Sequence, residues 1–322
     1  MDVRRRPVWQ PTPVTPAWIY LLLVALTWGL GEVVGERTLP TLLLAYAPPL
    51  LWLLPAPLVV GWALWRRQGR RVALAGALLA AWGAGLLHGR PQAEGALRVV
   101  TYNVLQGRRA TPEHLARQLA SLNADVILLQ ESNFTRADFG EALQDGLPGY
   151  RAVLATEVTT LTRLPLLDSR RVALPRHHRD VLVTTLRWEG QPLTVVNAHL
   201  GTVQVVDALA GDFAYLRRTR DARTAQVRAL EDIATSPHGP LLLGGDLNTP
   251  PRGPVYRQLR RAFGPDAHDL AGRGPGWTFP SLAVRIDHLL TRDLTPTRTR
   301  TLPWTLSDHR PLVVDYRRLE SR

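Results

Sequence analysis

Hydrophobic and polar positions divide the chain into two stretches with different rhythms. In the first, no Asp, Glu, Arg or Lys falls between Arg6 and Glu32, between Arg37 and Arg66, or between Arg71 and Arg90. Those windows hold Ala17–Gly31, Thr41–Trp65 and Val72–Leu87, all rich in Leu, Val, Ala and Trp. A spanning helix needs about 20 apolar residues, so the second segment is ample and the other two are near the short limit. The pattern predicts an N-terminal bundle of three transmembrane helices within residues 1–90, the second kinked at Pro48, Pro49, Pro55 and Pro57. Trp9, Trp18, Trp28, Trp52, Trp62, Trp65 and Trp82 lie in this part, many near segment ends, as an interfacial aromatic belt has them. Arg4, Arg5 and Arg6 precede the first segment, and Arg66, Arg67, Arg70 and Arg71 separate the second from the third. By the positive-inside rule this predicts a multi-pass plasma-membrane protein with a cytoplasmic N-terminus and everything beyond the third segment outside.

A short Gly- and Pro-flanked linker, 91–96, leads into residues 97–322, where apolar runs become short and alternate with amphipathic stretches. Leu97–Val104, Asp125–Gln130, Asp180–Trp188, Pro192–His199, Pro240–Gly244, Ile286–Thr291 and Pro311–Tyr316 read as buried strands. Thr111-Pro112-Glu113 opens a helix with a capping hydroxyl and a proline at the first position, running to about Asn123. Further helices are expected over Phe213–Thr235 and Val255–Phe263. Strands with intervening helices define an α/β (α+β) class, sheets covered by helices.

Composition changes this picture in two ways. The formal net charge is +12, but the chain has no lysine, so arginine is a chain-wide habit and basicity alone does not argue for nucleic acid. Arg217, Arg218, Arg220, Arg223 and Arg228 on the long helix read as a solvated face or a contact for anionic lipid. Cysteine is absent, which excludes disulfides, thiolate metal sites and a thiol nucleophile. His177, His178, His268 and His288 show no zinc-ligand spacing.

Polar residues gather where strands end or begin: Asn103, Glu131, His199, Asp246 with Asn248, Asp287, and Ser307-Asp308-His309. Singly each is an ordinary turn former. Together they put a ring of hard oxygen donors and imidazoles at one rim of a sheet.

In this order, Thr-Tyr-Asn103, Leu-Gln-Glu131, Asn-Ala-His199-Leu, Gly-Asp246-Leu-Asn248, Arg-Ile-Asp287-His and Ser-Asp308-His309 resemble the endonuclease/exonuclease/phosphatase superfamily, the deoxyribonuclease-I-like phosphoesterases. Thr162-Arg163-Leu-Pro165 adds weaker support. The resemblance implies a four-layer sandwich, two mixed sheets flanked by helices, as a catalytic domain over 97–322. It implies magnesium or manganese held by Glu131, Asn103 and Asp308. Asp246 and Asn248 would position water and phosphate or a second metal. His309 would be general base or phosphate partner, oriented by Asp287, and His199 would bind phosphoryl oxygens. Three spans followed by such a domain resemble the membrane-bound teicoplanin-resistance proteins. That likeness implies a polyprenyl diphosphate or other membrane lipid phosphate as substrate, at the bilayer, with no protein partner. An extracytoplasmic nuclease, a phospholipase-type phosphodiesterase and a non-catalytic membrane-tethered binding module are the alternatives.

Overall fold

A computed structural model describes residues 15–176, 178–203 and 213–319. Four helices lead the chain: α1 (Thr15–Val33), α2 (Leu39–Tyr46), α3 (Ala56–Trp65) and α4 (Arg70–Gly83). Among the described residues only α1 is by itself long and apolar enough to cross a bilayer. The second expected span is broken at Pro48 and Pro49, where the helical segments on either side meet at 82°. Proline withholds an amide donor and pushes the residue before it out of helical geometry, so the ladder cannot run through. The third, α4, has 14 residues, which rise about 21 Å against a hydrocarbon core of about 30 Å. The expectation of three spans is corrected accordingly: one helix of spanning length, and a second span only if the bent pair serves as one. Arg4, Arg5 and Arg6, on which the expected orientation rests, lie outside the described residues. Helices α1 and α4 pack closely because Gly83 lies under Trp28, where a Cβ would come within 1.9 Å of the indole.

Eleven strands follow among the described residues. They are β1 (Leu97–Asn103), β2 (Val126–Gln130), β3 (Arg151–Ala155), β4 (Val158–Thr162), β5 (Leu166–Ala173), β6 (Asp180–Trp188), β7 (Gln191–His199), β8 (Leu241–Asp246), β9 (Asp287–Arg292), β10 (Leu294–Thr301) and β11 (Leu312–Arg318). One sheet has the order β10-β11-β1-β2-β4-β3 and the other β5-β6-β7-β8-β9. Each contains one parallel pair, β1 with β2 and β7 with β8, so both are mixed.

Alternation along the strands sorts side chains into layers. Val100, Tyr102, Ile127 and Leu129 face outward, onto α5 (Pro112–Ser121) and α6 (Phe139–Asp145). Val196, Leu241 and Leu243 pack against α7 (Phe213–Thr235) and α8 (Gly253–Phe263) through Val227, Leu230 and Phe263. Leu97, Val99, Val126, Leu128, Leu193, Val195, Leu242, Leu289 and Val314 fill the seam between the sheets. At Gly244 the sheets approach so closely that a Cβ would lie 2.4 Å from Leu128 of the facing sheet, and it would also press on Leu289 of the neighbouring strand, at 2.7 Å. Helix, sheet, sheet, helix is the expected sandwich.

Followed along the same inner faces, residue type changes from apolar to polar toward one end. Leu97, Val99, Thr101, Asn103 is one such row; Val126, Leu128, Gln130 is another; Leu193, Val195, Asn197, His199 is a third. Parallel pairing within each sheet brings their C-terminal ends level, with Asn103 beside Gln130 and His199 beside Asp246. Antiparallel β9 starts at that end, pairing Asp287 with Asp246. The two sheets are cross-linked there by a buried amide pair, Gln130 Nε2 donating to Asn197 Oδ1 at 2.8 Å. Thr101 Oγ1 donates to Gln130 Oε1, and Asn197 Nδ2 donates to the Leu129 and Thr159 carbonyls, so every arm of this pair is engaged.

The N-terminal helices dock on this domain by reciprocal capping. Arg252 donates from Nε and NH2 to the Ala45 carbonyl and from NH2 to that of Leu44, which no intrahelical amide reaches at the end of α2. Glu32 returns the favour: its Oε2 accepts the Gly253 amide at the start of α8, at 3.1 Å. Tyr46 Oη donates to the Asn248 carbonyl at 2.8 Å. The stretch 91–96 is also fastened, since Gln92 Nε2 donates to the Ala271 and Thr299 carbonyls and the Ala93 amide to Thr297.

Four strands escaped the hydrophobic pattern. β5 is an edge strand with exposed Asp168, Ser169, Arg170 and Arg171, β10 reads Leu-Thr-Pro-Thr-Arg-Thr-Arg-Thr, and β3 and β4 form a tight hairpin. The helix α9 (Ala267–Ala271) and α6 are too short to show a helical period.

Candidate active site

Asp246 Oδ2 is the centre on which the rim converges. Asn103 Nδ2 donates to it at 3.0 Å, His199 Nε2 lies 3.5 Å away and His309 Nε2 3.7 Å away. Its other oxygen accepts the Asn248 amide at 3.0 Å. Burial pushes the Asp246 carboxyl up, but the His309 and His199 imidazoles and the Asn103 and Asn248 hydrogen bonds outweigh it and hold the group ionised, below its usual range.

Asn103 also donates Nδ2 to Glu131 Oε1 at 3.2 Å, so one amide nitrogen collects oxygens from two carboxylates. Its Oδ1 accepts the Leu105 amide at 3.0 Å, which fixes which way the amide faces. Glu131 leaves β2 in the left-handed region at φ 49°, and Asn248 leaves β8 at φ 46°. A non-glycine residue there costs about 1–3 kcal/mol, and such strain persists where neighbours over-determine it, often at reactive sites.

Behind His309 stands Asp287, whose Oδ2 lies 2.8 Å from Nδ1. Asp287 is fully buried, and its Oδ1 has no hydrogen-bond partner among the described residues. Burial and the Asp246 charge raise the Asp287 carboxyl, only partly opposed by His309. For His309, burial acts downward, but the charges of Asp287 and Asp246, the bond to Asp287 and the nearby Asp308 raise it to about 10. Thr278 Oγ1 accepts the Ile286 and Asp287 amides, both at 3.1 Å, and the Phe279 ring packs on His309 at 5.0 Å.

The other imidazole has its own carboxylate. Glu157 Oε2 lies 3.5 Å from His199 Nδ1 and 2.5 Å from Arg179 Nε, while Oε1 meets His178 Nε2 at 2.7 Å. Burial raises Glu157, but His199, Arg179 and His178 overrule it and press the group far below its usual range. Glu157, Thr278 and Phe279 were not foreseen, because each lies in a turn whose flanking strands or partners are not visible in the linear pattern.

Of the expected site residues, Asn103, Glu131, His199, Asp246, Asp287 and His309 come together. Asn248 contributes its backbone amide, while its side-chain Nδ2 donates to the Leu200 carbonyl at 3.0 Å. Asp308 accepts from Ser307 Oγ at 3.2 Å, and no hydrogen bond ties it to Glu131 among the described residues. Arg163 lies at the opposite end of β2, stacked on Tyr150 at 4.4 Å. Arg223 corrects the reading of α7 as a solvated arginine face. It is 2% exposed and donates to the Gly201 and Leu247 carbonyls and to Thr249 Oγ1, fastening the loops after β7 and β8. Of the four histidines weighed for zinc, His288 Nδ1 is paired with Asp266 at 2.6 Å and His268 Nε2 with the Gly274 carbonyl. His178 serves Glu157, and His177 lies outside the described residues.

Asp246, Asp287 and His309 bring one ligand atom each within 4.8 Å of one another. His309 Nδ1 is committed to Asp287, however, whereas Glu131 and Asp246 aim oxygens at one amide nitrogen, where positive charge is already favoured. With two carboxylate oxygens converging and no thiolate, this donor set fits a hard divalent cation.

The model of the Endonuclease/Exonuclease/phosphatase family matches residues 100–309, and the chain belongs to that family, whose enzymes hydrolyse phosphoester bonds and generally depend on divalent metal. No curated protein matches the chain in sequence. Among solved structures it is similar to TDP2 of D. rerio complexed with a single-strand DNA product, at 17% identity over 68% of this chain and 98% of that one, TM-score 0.52. An endonuclease/exonuclease/phosphatase family protein from Leptotrichia buccalis is 17% identical over 69% and 99%, TM-score 0.55. A mannosyl-6-phosphatase from Bacteroides thetaiotaomicron is 15% identical over 69% and 99%, TM-score 0.53. At these identities the likeness is one of fold.

The charge balance around His309 has a measurable consequence in chain kept metal-free with EDTA. A value near 10 lies above the ordinary imidazole value of 6.5, so the contribution of His309 to stability is full below about 6.5. It is lost as pH rises through about 10. By NMR, the His309 imidazole should titrate far above 6.5 in wild type and markedly lower in Asp287→Asn. A wild-type midpoint at or below 6.5 contradicts the arrangement.

Proposed function

We propose that this chain is a membrane-anchored, divalent-metal-dependent phosphohydrolase that cleaves the phosphate ester or diphosphate of a membrane lipid outside the cytoplasm. The reaction class is carried by one observation: two imidazoles and an amide converge on Asp246 Oδ2, with carboxylates behind both imidazoles.

Glu131, with Asp308 and either Asp246 or Asn248, would hold magnesium or manganese; Asn103, expected as a ligand, has its Oδ1 on the Leu105 amide and turns Nδ2 to Glu131 and Asp246, so it would orient those carboxylates. When bound, the cation stabilises charge on phosphoryl oxygens and makes water a better nucleophile. His309 keeps its Nδ1 proton on Asp287 and presents Nε2–H to a phosphoryl oxygen. Its raised value favours this role of charged phosphate partner over that of general base, which requires giving the Nε2 proton up. His199 offers a second donor from the other side, oriented by Glu157. Asp246, held ionised, accepts the proton of the attacking water, and the Asn248 amide fixes the carboxylate plane.

Support for a lipid comes from the N-terminal helices. Leu22, Leu26, Leu58 and Trp65 are exposed, an apolar surface of the kind that meets membrane. With α1 as the crossing helix, Arg4, Arg5 and Arg6 ahead of it would place the catalytic domain outside by the positive-inside rule, where outer-leaflet lipid phosphates, a polyprenyl diphosphate among them, adjoin it.

Full-length protein in detergent with magnesium should release phosphate from a polyprenyl diphosphate faster than it cleaves phospholipid or single- or double-stranded DNA. Glu131→Gln should remove the metal-dependent rate by about 100-fold or more while the fold survives. Cleavage of DNA with no action on lipid phosphates overturns the lipid reading, and an unchanged rate in Glu131→Gln overturns the metal assignment.

For orientation with α1 as the crossing helix, a reporter fusion after Ala96 should report the exterior. A cytoplasmic signal at that junction reverses the proposed sidedness.

A further inference from the structure

A cavity of about 250 Å³ lies between the N-terminal helices and the rim of the catalytic domain. Trp28, Trp82, Leu87 and Pro49 line it from the helical side, Pro251 and Trp277 from the catalytic side. Its catalytic wall is continuous with the site. Pro250, Pro251 and Arg252 extend the loop that carries Asp246 and Asn248, and Trp277 directly precedes Thr278 and Phe279, which brace Asp287 and His309. Four residues of extended chain span at most about 14 Å, so Arg252 is within one amphiphile's reach of Asn248.

Arg252 also lines this cavity and is 6% exposed. Its guanidinium lies 4.4 Å over the Trp28 ring, and Nε and NH2 serve carbonyls of α2. Its NH1 is buried with no hydrogen-bond partner among the described residues. A desolvated cationic donor in an aromatic cavity calls for an acceptor oxygen. The apolar wall calls for hydrocarbon, and one molecule that supplies both is an anionic amphiphile.

We propose that this cavity binds the hydrocarbon segment next to the phosphate of a lipid phosphate substrate, with Arg252 NH1 taking an oxygen of its head group. The inference rests on the lipid reading above and adds a specificity site to it. The volume falls below the range of about 300–1,000 Å³ of small-molecule sites, so the cavity takes only the first carbons. The remaining chain runs along the exposed faces of α1, where Leu22 and Leu26 stand free of protein.

Leu87 is 56% exposed at the edge of the cavity, so Leu87→Trp fills the space without disturbing the core. The readout is the ratio of kcat/KM for a long-chain lipid phosphate to that for bis(4-nitrophenyl) phosphate, which has no chain, in one magnesium–detergent buffer. Each buried methylene is worth about fourfold, so excluding two or three should lower this ratio by about 15- to 60-fold in Leu87→Trp. Leu86→Trp, at the neighbouring exposed position that does not line the cavity, should keep the ratio within about threefold. An unchanged ratio in folded Leu87→Trp, or an equal fall in both variants, overturns the chain site while leaving the lipid reading in place. If wild type cleaves the chainless ester or single-stranded DNA but no lipid phosphate, the lipid reading fails and the chain site with it.

Discussion

The site depends on keeping two carboxylates, Asp246 and Asp287, ionisable in the seam between two sheets, at 2% and 0% exposure. Removing a carboxylate from water costs several kcal/mol unless charge and hydrogen bonds are returned to it. Here they come from three separate stretches of chain: Asn103 from β1, His199 from β7 and His309 from the approach to β11. Strand register decides whether those groups arrive. Parallel pairing levels Asn103 with Gln130 and His199 with Asp246, and the Gln130–Asn197 amide pair pins one sheet to the other at the same depth. A slip of one residue in any of these strands would turn its polar end outward and leave an unpaired charge inside. The chemistry and the fold are therefore one constraint.

The N-terminal helices are tied to that constraint and do not merely precede it. Arg252 caps α2, Glu32 caps α8, and Tyr46 holds the carbonyl of Asn248, whose amide in turn holds Asp246. Arg223 fastens the same loop from beneath. A substrate entering along the apolar helices would meet the loop that carries Asp246 and Asn248, which would give those helices a part in positioning it.

Much of this was legible in the sequence because strands alternate with period two. The rows Val99, Thr101, Asn103 and Val195, Asn197, His199 change from apolar to polar on one face, and linear order preserves that change. What escaped had no local expression. Glu157 sits in the turn between β3 and β4, and its partners His199 and Arg179 are distant in sequence. Arg223 looks like its neighbours Arg218 and Arg220 until α7 is rotated against the sheet, when it alone points at the Gly201 and Leu247 carbonyls. The spans were overcounted because a charge-free window measures hydrophobicity and not continuity. Pro48 and Pro49 bend one such window by 82°, and α4 stops short of a full crossing.

The central claim is that His309 and Asp287 act as one unit on the phosphoryl group, and a double-mutant cycle on folded, metal-saturated protein tests it most directly. General acid–base and charge assistance of this kind is worth about 10²–10⁴-fold, so His309→Ala should lower kcat/KM by at least the smaller figure. Asp287→Asn should lose a large part of the same factor, and the double variant little more than His309→Ala alone. Fully additive losses, or near-normal turnover in both single variants with only stability reduced, would contradict the account.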